Sequence, residues 1–237
     1  MKTMENKVVF ITGGTSGYGE AMARLFTQEG AKVIIAARKE NELAEKSKEI
    51  GCDALKMDVT DFDAWGKAKA YILEKYGRID VLINNAGGGV AIKPVSEQTR
   101  EEIDRAIKLN LNSVIYAAHT FAPVFMEQKG GSIINISSVC AHHCWPEWSV
   151  YASAKAGVLN FSKGLYNELQ PYGVRVSCLI PAAAATRFQK ESGIPDVDNI
   201  LGTEDIAQTA LFICTLPPRA VVEEVTVWGI DQVVNPL

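Results

Sequence analysis

Tyr151 and Lys155 stand four residues apart in Tyr-Ala-Ser-Ala-Lys, a spacing that puts both side chains on one face of a helix. A phenol with a pKa near ~10 is a poor acid–base group at neutral pH. A neighbouring ammonium stabilises its anion, and a lysine one helical turn away supplies one. Ser138, just beyond the apolar run Ile134-Asn135-Ile136, adds a hydroxyl that can donate to a carbonyl oxygen in the same site. The three residues suit proton transfer at a carbonyl or alcohol oxygen. Tyr-x-x-x-Lys alone is common on helix surfaces, so its weight depends on what accompanies it.

Two further segments accompany it, in order. Thr12-Gly13-Gly14-Thr15-Ser16-Gly17-Tyr18-Gly19 lies between the apolar Val8-Val9-Phe10-Ile11 and a helical pattern beginning at Glu20. A strand, a glycine-rich turn and a helix N-terminus form a site for a dinucleotide pyrophosphate. Glycines let the backbone approach the phosphates, and unpaired N–H groups at the positive helix end offset their charge. Asn84-Asn85-Ala86-Gly87 then follows another apolar run.

Strand and helix signals alternate along the chain. Strands are predicted over 8–12, 32–36, 53–57, 80–83, 132–136, 174–180 and 225–228. Helices are predicted from the glycine-rich turn to 29, then over 40–50, 61–76, 96–125, 150–170 and 203–216; the long 96–125 helix would be capped by Ser96. Gly30 and Gly77 stand where helix C-termini need a left-handed residue. Continuous apolar strands imply a parallel sheet covered on both faces. The fold class is therefore α/β: a Rossmann-like, doubly wound parallel sheet of about seven strands, one domain over 1–237, with its ligand site at the carboxyl ends of the strands. The segment 188–202 is a candidate substrate loop or a plain connector.

Length and composition are those of one globular domain, with 47% apolar and 22% charged residues in 237. A net charge of −4 gives no basic footprint for nucleic acid. A strand starting near residue 8 leaves no room for a signal peptide, and no apolar run is long enough to span a bilayer. Five cysteines, an odd number, point to reduced thiols and a cytoplasmic setting. Cys140 and Cys144 flank His142 and His143, but without a second distant pair they are not read as a metal site.

On the glycine-rich turn with Gly13, Gly17 and Gly19, on Asn-Asn-Ala-Gly and on Ser138, Tyr151 and Lys155, the chain resembles the single-domain short-chain dehydrogenases/reductases over essentially its whole length. The resemblance implies hydride transfer between a nicotinamide cofactor and a ketone, aldehyde or secondary alcohol. Tyr151 would be the general acid–base group, with Ser138 holding the substrate oxygen. Lys155 would lower the tyrosine pKa and bind the nicotinamide ribose, and Asn110 would organise a water relay behind it. Gly13, Thr15, Ser16, Gly17, Tyr18 and Gly19 would cradle the pyrophosphate. Asp58 and Val59 would edge the adenine, and Asn85, Ala86 and Gly87 would meet the cofactor. Pro181, Ala184 and Thr186 would lie beside the nicotinamide.

Cofactor choice rests on the end of the second strand. Ala37 stands where NAD-preferring folds of this kind place a carboxylate, and Arg38 follows. A guanidinium there suits a 2′-phosphate, so NADP(H) is expected, with NAD(H) as the alternative. Two departures from the family pattern stand out: Ala182 replaces a glycine after Pro181, and the C-terminal Trp228-Gly229-Ile230-Asp231 lacks the usual Asp-Gly-Gly. Trp145, Trp148 and their neighbours would line the mouth for a small-molecule carbonyl or alcohol substrate, suiting an apolar or aryl one. Homo-oligomers, tetramers or dimers, are implied through the helices at 96–125 and 150–170, with Ile115, Phe121, Phe161 and Leu165 as contacts. Two rival readings are an NAD-dependent alcohol dehydrogenase and a nucleotide-binding regulatory protein that has lost catalysis.

Overall fold

The computed structural model describes residues 2–184, 186 and 200–232. In chain order the elements are β1 (Val8–Thr12), α1 (Gly17–Gln28), β2 (Lys32–Ala37), α2 (Glu40–Ile50), β3 (Asp53–Lys56), α3 (Phe62–Tyr76), β4 (Val81–Asn84), α4 (Arg100–Ile107), α5 (Ser113–Gln128), β5 (Gly131–Ile136), α6 (Ser149–Leu169), β6 (Val174–Pro181), α7 (Thr203–Thr215) and β7 (Glu224–Val227). All seven strands are parallel, in the order β3-β2-β1-β4-β5-β6-β7. Most of the 188–202 segment lies outside the described residues.

Every residue of β1 is buried because the strand alternates between two cores. Val9 and Ile11 pack with Met22 and Phe26 of α1 and Ile206 and Ile213 of α7. Val8 and Phe10 face Trp65 of α3 and Phe121 and Phe125 of α5. A two-residue side-chain period buried on both sides yields the unbroken apolar strand seen in the sequence. Chain order reverses at β1, which pairs with β2 on one side and β4 on the other. The carboxyl ends of β1 and β4 therefore open a crevice, into which Gly13–Gly17 and Asn85–Gly88 project.

The single helix expected over 96–125 is broken. A 3₁₀ turn covers Val95–Glu97, and α4 begins at Arg100. Thr99, not Ser96, is its cap: Thr99 Oγ1 accepts from Glu102 N (3.2 Å), and Glu102 Oε2 accepts from Thr99 N (2.7 Å). Between α4 and α5, Lys108–Asn112 widens into a π-turn. There Asn110 Nδ2 donates to Ala106 O (3.0 Å), the acceptor that Asn110's own N–H would use in an α-helix. The side chain thus competes with the backbone ladder and opens it.

Two of the expected intersubunit contacts are core instead. Phe121 is fully buried against Phe10 and Trp65, and Leu165 is also buried. Ile115 and Phe161 are only partly covered.

Candidate active site

A cavity of about 600 Å³ runs along the carboxyl edge of the sheet from Arg38 and Val59 at one end to Tyr151 and Lys155 at the other. At its centre Gly13 adopts φ +67°, and a Cβ there would stand 3.0 Å from Ala86 Cα and Asn85 Nδ2. Gly17 has φ +55° and faces Thr186. Ser16 precedes α1 without any side-chain cap, so the first N–H groups of that helix are left to whatever lies in the cavity. Left-handed glycines and an uncapped helix end form a cradle that fits a pyrophosphate.

Ser138 follows β5, where its Oγ accepts from Cys140 N at 3.2 Å. The same hydroxyl hydrogen-bonds the Tyr151 phenol from the first turn of α6. Lys155, one turn on, is buried and donates from Nζ to Ile136 O at 2.9 Å, with Nζ 5.7 Å from the Tyr151 ring centre. Burial pushes the lysine down to about 8. Burial also raises the Tyr151 phenol above its ordinary range, reinforced by Cys140 and opposed by the Ser138 bond. Burial is the dominant influence on the phenol, and the Lys155 ammonium is engaged by Ile136 O.

Sixteen of the expected residues line this one cavity: Gly13, Thr15, Ser16, Gly17, Tyr18, Arg38, Val59, Asn85, Ala86, Gly87, Ser138, Tyr151, Lys155, Pro181, Ala184 and Thr186. Three do not. Gly19 lies behind the turn, where an added Cβ would stand 2.6 Å from Asn85 Nδ2 and closer still to Gly13 O. The Asp58 carboxylate accepts from Thr60 N (2.9 Å) and Thr60 Oγ1 (2.8 Å), leaving the wall to Met57 and Val59. Asn110 is fully buried with its amide spent on protein: Oδ1 accepts from Gly88 N (2.8 Å), while Nδ2 donates to Gly88 O (3.1 Å) and Ala106 O. Asn85 lines the cavity, yet its Nδ2 donates to Thr12 O (2.9 Å) and Gly13 O (3.1 Å), tying β4 to the turn.

The two sequence departures are accommodated. Ala182 is not among the left-handed residues; its N–H donates to Val227 O (2.9 Å) and its carbonyl accepts from Tyr18 Oη (3.4 Å). Trp228 sits beside His143, with ring centres 5.9 Å apart. His142 reaches outward to Glu224 at 2.8 Å.

Sequence reading missed Lys39 and Glu42, which line the β2 end and pair at 2.7 Å, and Cys140 and Gln232 on the opposite wall. Lys39 was legible, since it follows Arg38 directly. Gln232 carried no signal, because only the turn after β7 brings it back to the cavity; among the described residues its buried Oε1 has no donor.

Comparison with known proteins gives a consistent result. The family model described as short chain dehydrogenase matches residues 7–195. An uncharacterized oxidoreductase of Staphylococcus aureus (strain N315) is 30% identical over 230 residues, covering 96% of this chain and 99% of the relative. Among solved structures, 3-ketoacyl-(acyl-carrier-protein) reductase from Brucella melitensis, complexed with NADH, is similar at a TM-score of 0.88 with 30% identity, covering 97% of this chain and 99% of that one. The closed form of serine dehydrogenase, complexed with NADP+, is similar at 0.91 with 27% identity, covering 97% and 98%.

Proposed function

This chain belongs to the short-chain dehydrogenase family and is an oxidoreductase, and we propose that it is an NADP(H)-dependent carbonyl reductase. One observation carries the reading: the hydrogen-bonded Ser138–Tyr151 pair and the buried Lys155 stand at one end of a cavity whose centre is the glycine cradle. A bound nicotinamide dinucleotide supplies the hydride. Gly13, Thr15, Ser16, Gly17 and Thr186 would hold its phosphates and nicotinamide end, Val59 its adenine, and Lys155 its ribose hydroxyls.

The protein's own part is to hold the substrate oxygen and move a proton to it. Ser138 donates to that oxygen and keeps it within reach of the phenol. Tyr151, protonated at neutral pH, transfers its proton there as general acid. Asn110 acts by holding Gly88 beside the reacting end.

Arg38 supports the preference for NADP(H). It is exposed at the end of β2, beside Lys39, with no carboxylate at Ala37. Glu42 on the same wall favours the second reading, an NAD(H)-dependent alcohol dehydrogenase. Titration with NADPH and then NADH decides between them. NADPH should bind more tightly, and Arg38→Ala should weaken NADPH alone by about 1.5–3 kcal/mol, roughly 10- to 100-fold. Equal or tighter NADH binding would sink the NADP(H) assignment. Tyr151→Phe should abolish turnover and spare nucleotide binding; binding without turnover in the wild type, over a broad carbonyl panel, would favour the regulatory reading.

Self-association as a dimer or tetramer is part of the same proposal, with the half-buried Ile115, Phe161 and Tyr116 and the exposed Phe62 that meets Tyr116 as candidate contacts. Sedimentation at 25.8 kDa alone would refute it. The five free cysteines support a reducing, cytoplasmic setting.

A further inference from the structure

The segment between Ser138 and Tyr151 ends in the turn Trp145-Pro146-Glu147-Trp148, closed by a bond from Trp148 N to Trp145 O at 3.2 Å. Proline at the second position and a left-handed third residue give it type II form. The third residue is Glu147, at φ +72°, where glycine would be the relaxed choice. Asn6 and Lys129 are the other non-glycine residues with left-handed φ among those described, and neither lines the cavity. Strain retained beside a catalytic group marks a geometry that the surroundings enforce.

What the turn enforces is the placement of two indoles. Both Trp145 and Trp148 line the cavity. Trp148 meets the Tyr151 ring edge-on, with centres 5.6 Å apart at 71°. Trp145 is braced by His143 at 6.1 Å, which leans in turn on Trp228. Val139 and Cys140 complete this end. The lining cations Arg38 and Lys39 belong to the β2 end, and Lys155 is directed at Ile136 O. Among the described residues, no cationic side chain at the tryptophan end is placed to neutralise a substrate carboxylate.

Building on the reductase reading above, we propose that the substrate is an uncharged ketone with a flat apolar body, aryl or cyclic. Trp145 and Trp148 grip that body while Ser138 and Tyr151 take its oxygen. Two rigid aromatic walls reward a planar apolar group through buried area and ring contact, whereas a carboxylate would be desolvated there without a cationic partner among the described residues. Trp145 and Trp148 are thus the specificity-determining residues.

The test uses the full-length protein with NADPH and three probes: acetophenone, its carboxylate-bearing analogue benzoylformate, and propanal. Acetophenone should have the highest kcat/KM. Trp145→Ala and Trp148→Ala should each lower kcat/KM for acetophenone at least tenfold more than for propanal, mainly through KM. Trp148→Phe, which keeps a ring against Tyr151, should retain most of the preference and guards against a folding artefact, as does unchanged NADPH affinity in each variant. Preference for benzoylformate, or equal losses for acetophenone and propanal, would overturn the substrate assignment and leave the reductase reading standing. No turnover of any of the three by the wild type, with NADPH bound, would overturn both.

Discussion

Gly19 does not line the nucleotide site, yet replacing it by alanine should damage that site from behind by pressing on Gly13 and Asn85. A Cβ at Gly19 would stand 2.8 Å from Gly13 C and 2.6 Å from Asn85 Nδ2, and nearer still to Gly13 O. Carbon atoms rest at about 3.5–4.0 Å, so the start of α1 and the turn must part by roughly 1 Å. Asn85 Nδ2 now donates to Thr12 O at 2.9 Å and Gly13 O at 3.1 Å. A displacement of that size carries both beyond hydrogen-bonding range. Two bonds at about 1 kcal/mol each, with overpacking strain of about 1–3 kcal/mol, give a loss of about 3–5 kcal/mol. For a chain of this length that is a fall in Tm of about 6–20 °C. Gly17→Ala is the control: its Cβ meets nothing closer than Thr186 Cγ2 at 3.6 Å, leaving only the strain of φ +55°, about 1–2 kcal/mol. Thermal melts and NADPH titrations of both variants make the comparison. A Gly19→Ala protein that melts within about 2 °C of wild type, or binds NADPH as well as wild type does, would refute this account of the turn.

Asn110→Ala should leave Gly88 N, Gly88 O and Ala106 O without their side-chain partner. At about 1–3 kcal/mol for each buried group left unpaired, partly offset by relaxation of the π-turn, the measured loss by urea unfolding should be about 2–5 kcal/mol; no loss would mean that water takes over all three. Thr99→Ala should cost about 1 kcal/mol by removing the cap of α4, and an unchanged urea midpoint would show that the capping box adds nothing. Lys155 titrates near 8 when folded, against an ordinary 10.5, so between these values the unfolded chain binds the extra proton. Its contribution to stability should therefore rise with pH across that window, by up to about 1.4 kcal/mol per pH unit. Lys155→Met should abolish that rise in urea titrations at pH 8, 9 and 10, and an identical slope in the variant would refute burial as the cause.

The fold was largely legible because parallel strands buried on both faces leave unbroken apolar runs, and because Gly30 and Gly77 mark helix ends by their left-handed backbone. The helix break at 108–112 was not. Its cause is the Asn110 side chain reaching Ala106 O, a competition within one turn that no hydrophobic period records. In the site, residue identity predicted position. Gly19, Asn85 and Asn110 fall in or beside the cavity where the pattern puts them, yet their side-chain or backbone space is given to protein contacts. At Asp58 an acidic residue after a strand invites a ligand, and Thr60 two residues on also donates to its carboxylate in a local turn. The tryptophan turn was half legible. Trp145 and Trp148 were visible as aromatic residues near the mouth, whereas the left-handed Glu147 that sets them apart has no sequence signature, since glutamate is not a residue chosen for that backbone.

Burial bears on the proton transfer proposed above for Tyr151. The same loss of hydration acts on Tyr151 and Lys155 with opposite sign, raising the acid and lowering the base. Both shifts favour the uncharged form. Running in the oxidative direction, Tyr151 must first lose its proton. Lys155 could help only by bringing its charge to bear on the phenolate, and that charge is the one burial makes costly. The ammonium's bond to Ile136 O keeps it in place at this cost. Ser138 is the counterweight, because its hydrogen bond is the one influence acting to lower the Tyr151 pKa. Removing the Ser138 hydroxyl therefore bears on two steps: it releases the substrate oxygen, and it leaves burial unopposed in holding the proton on Tyr151.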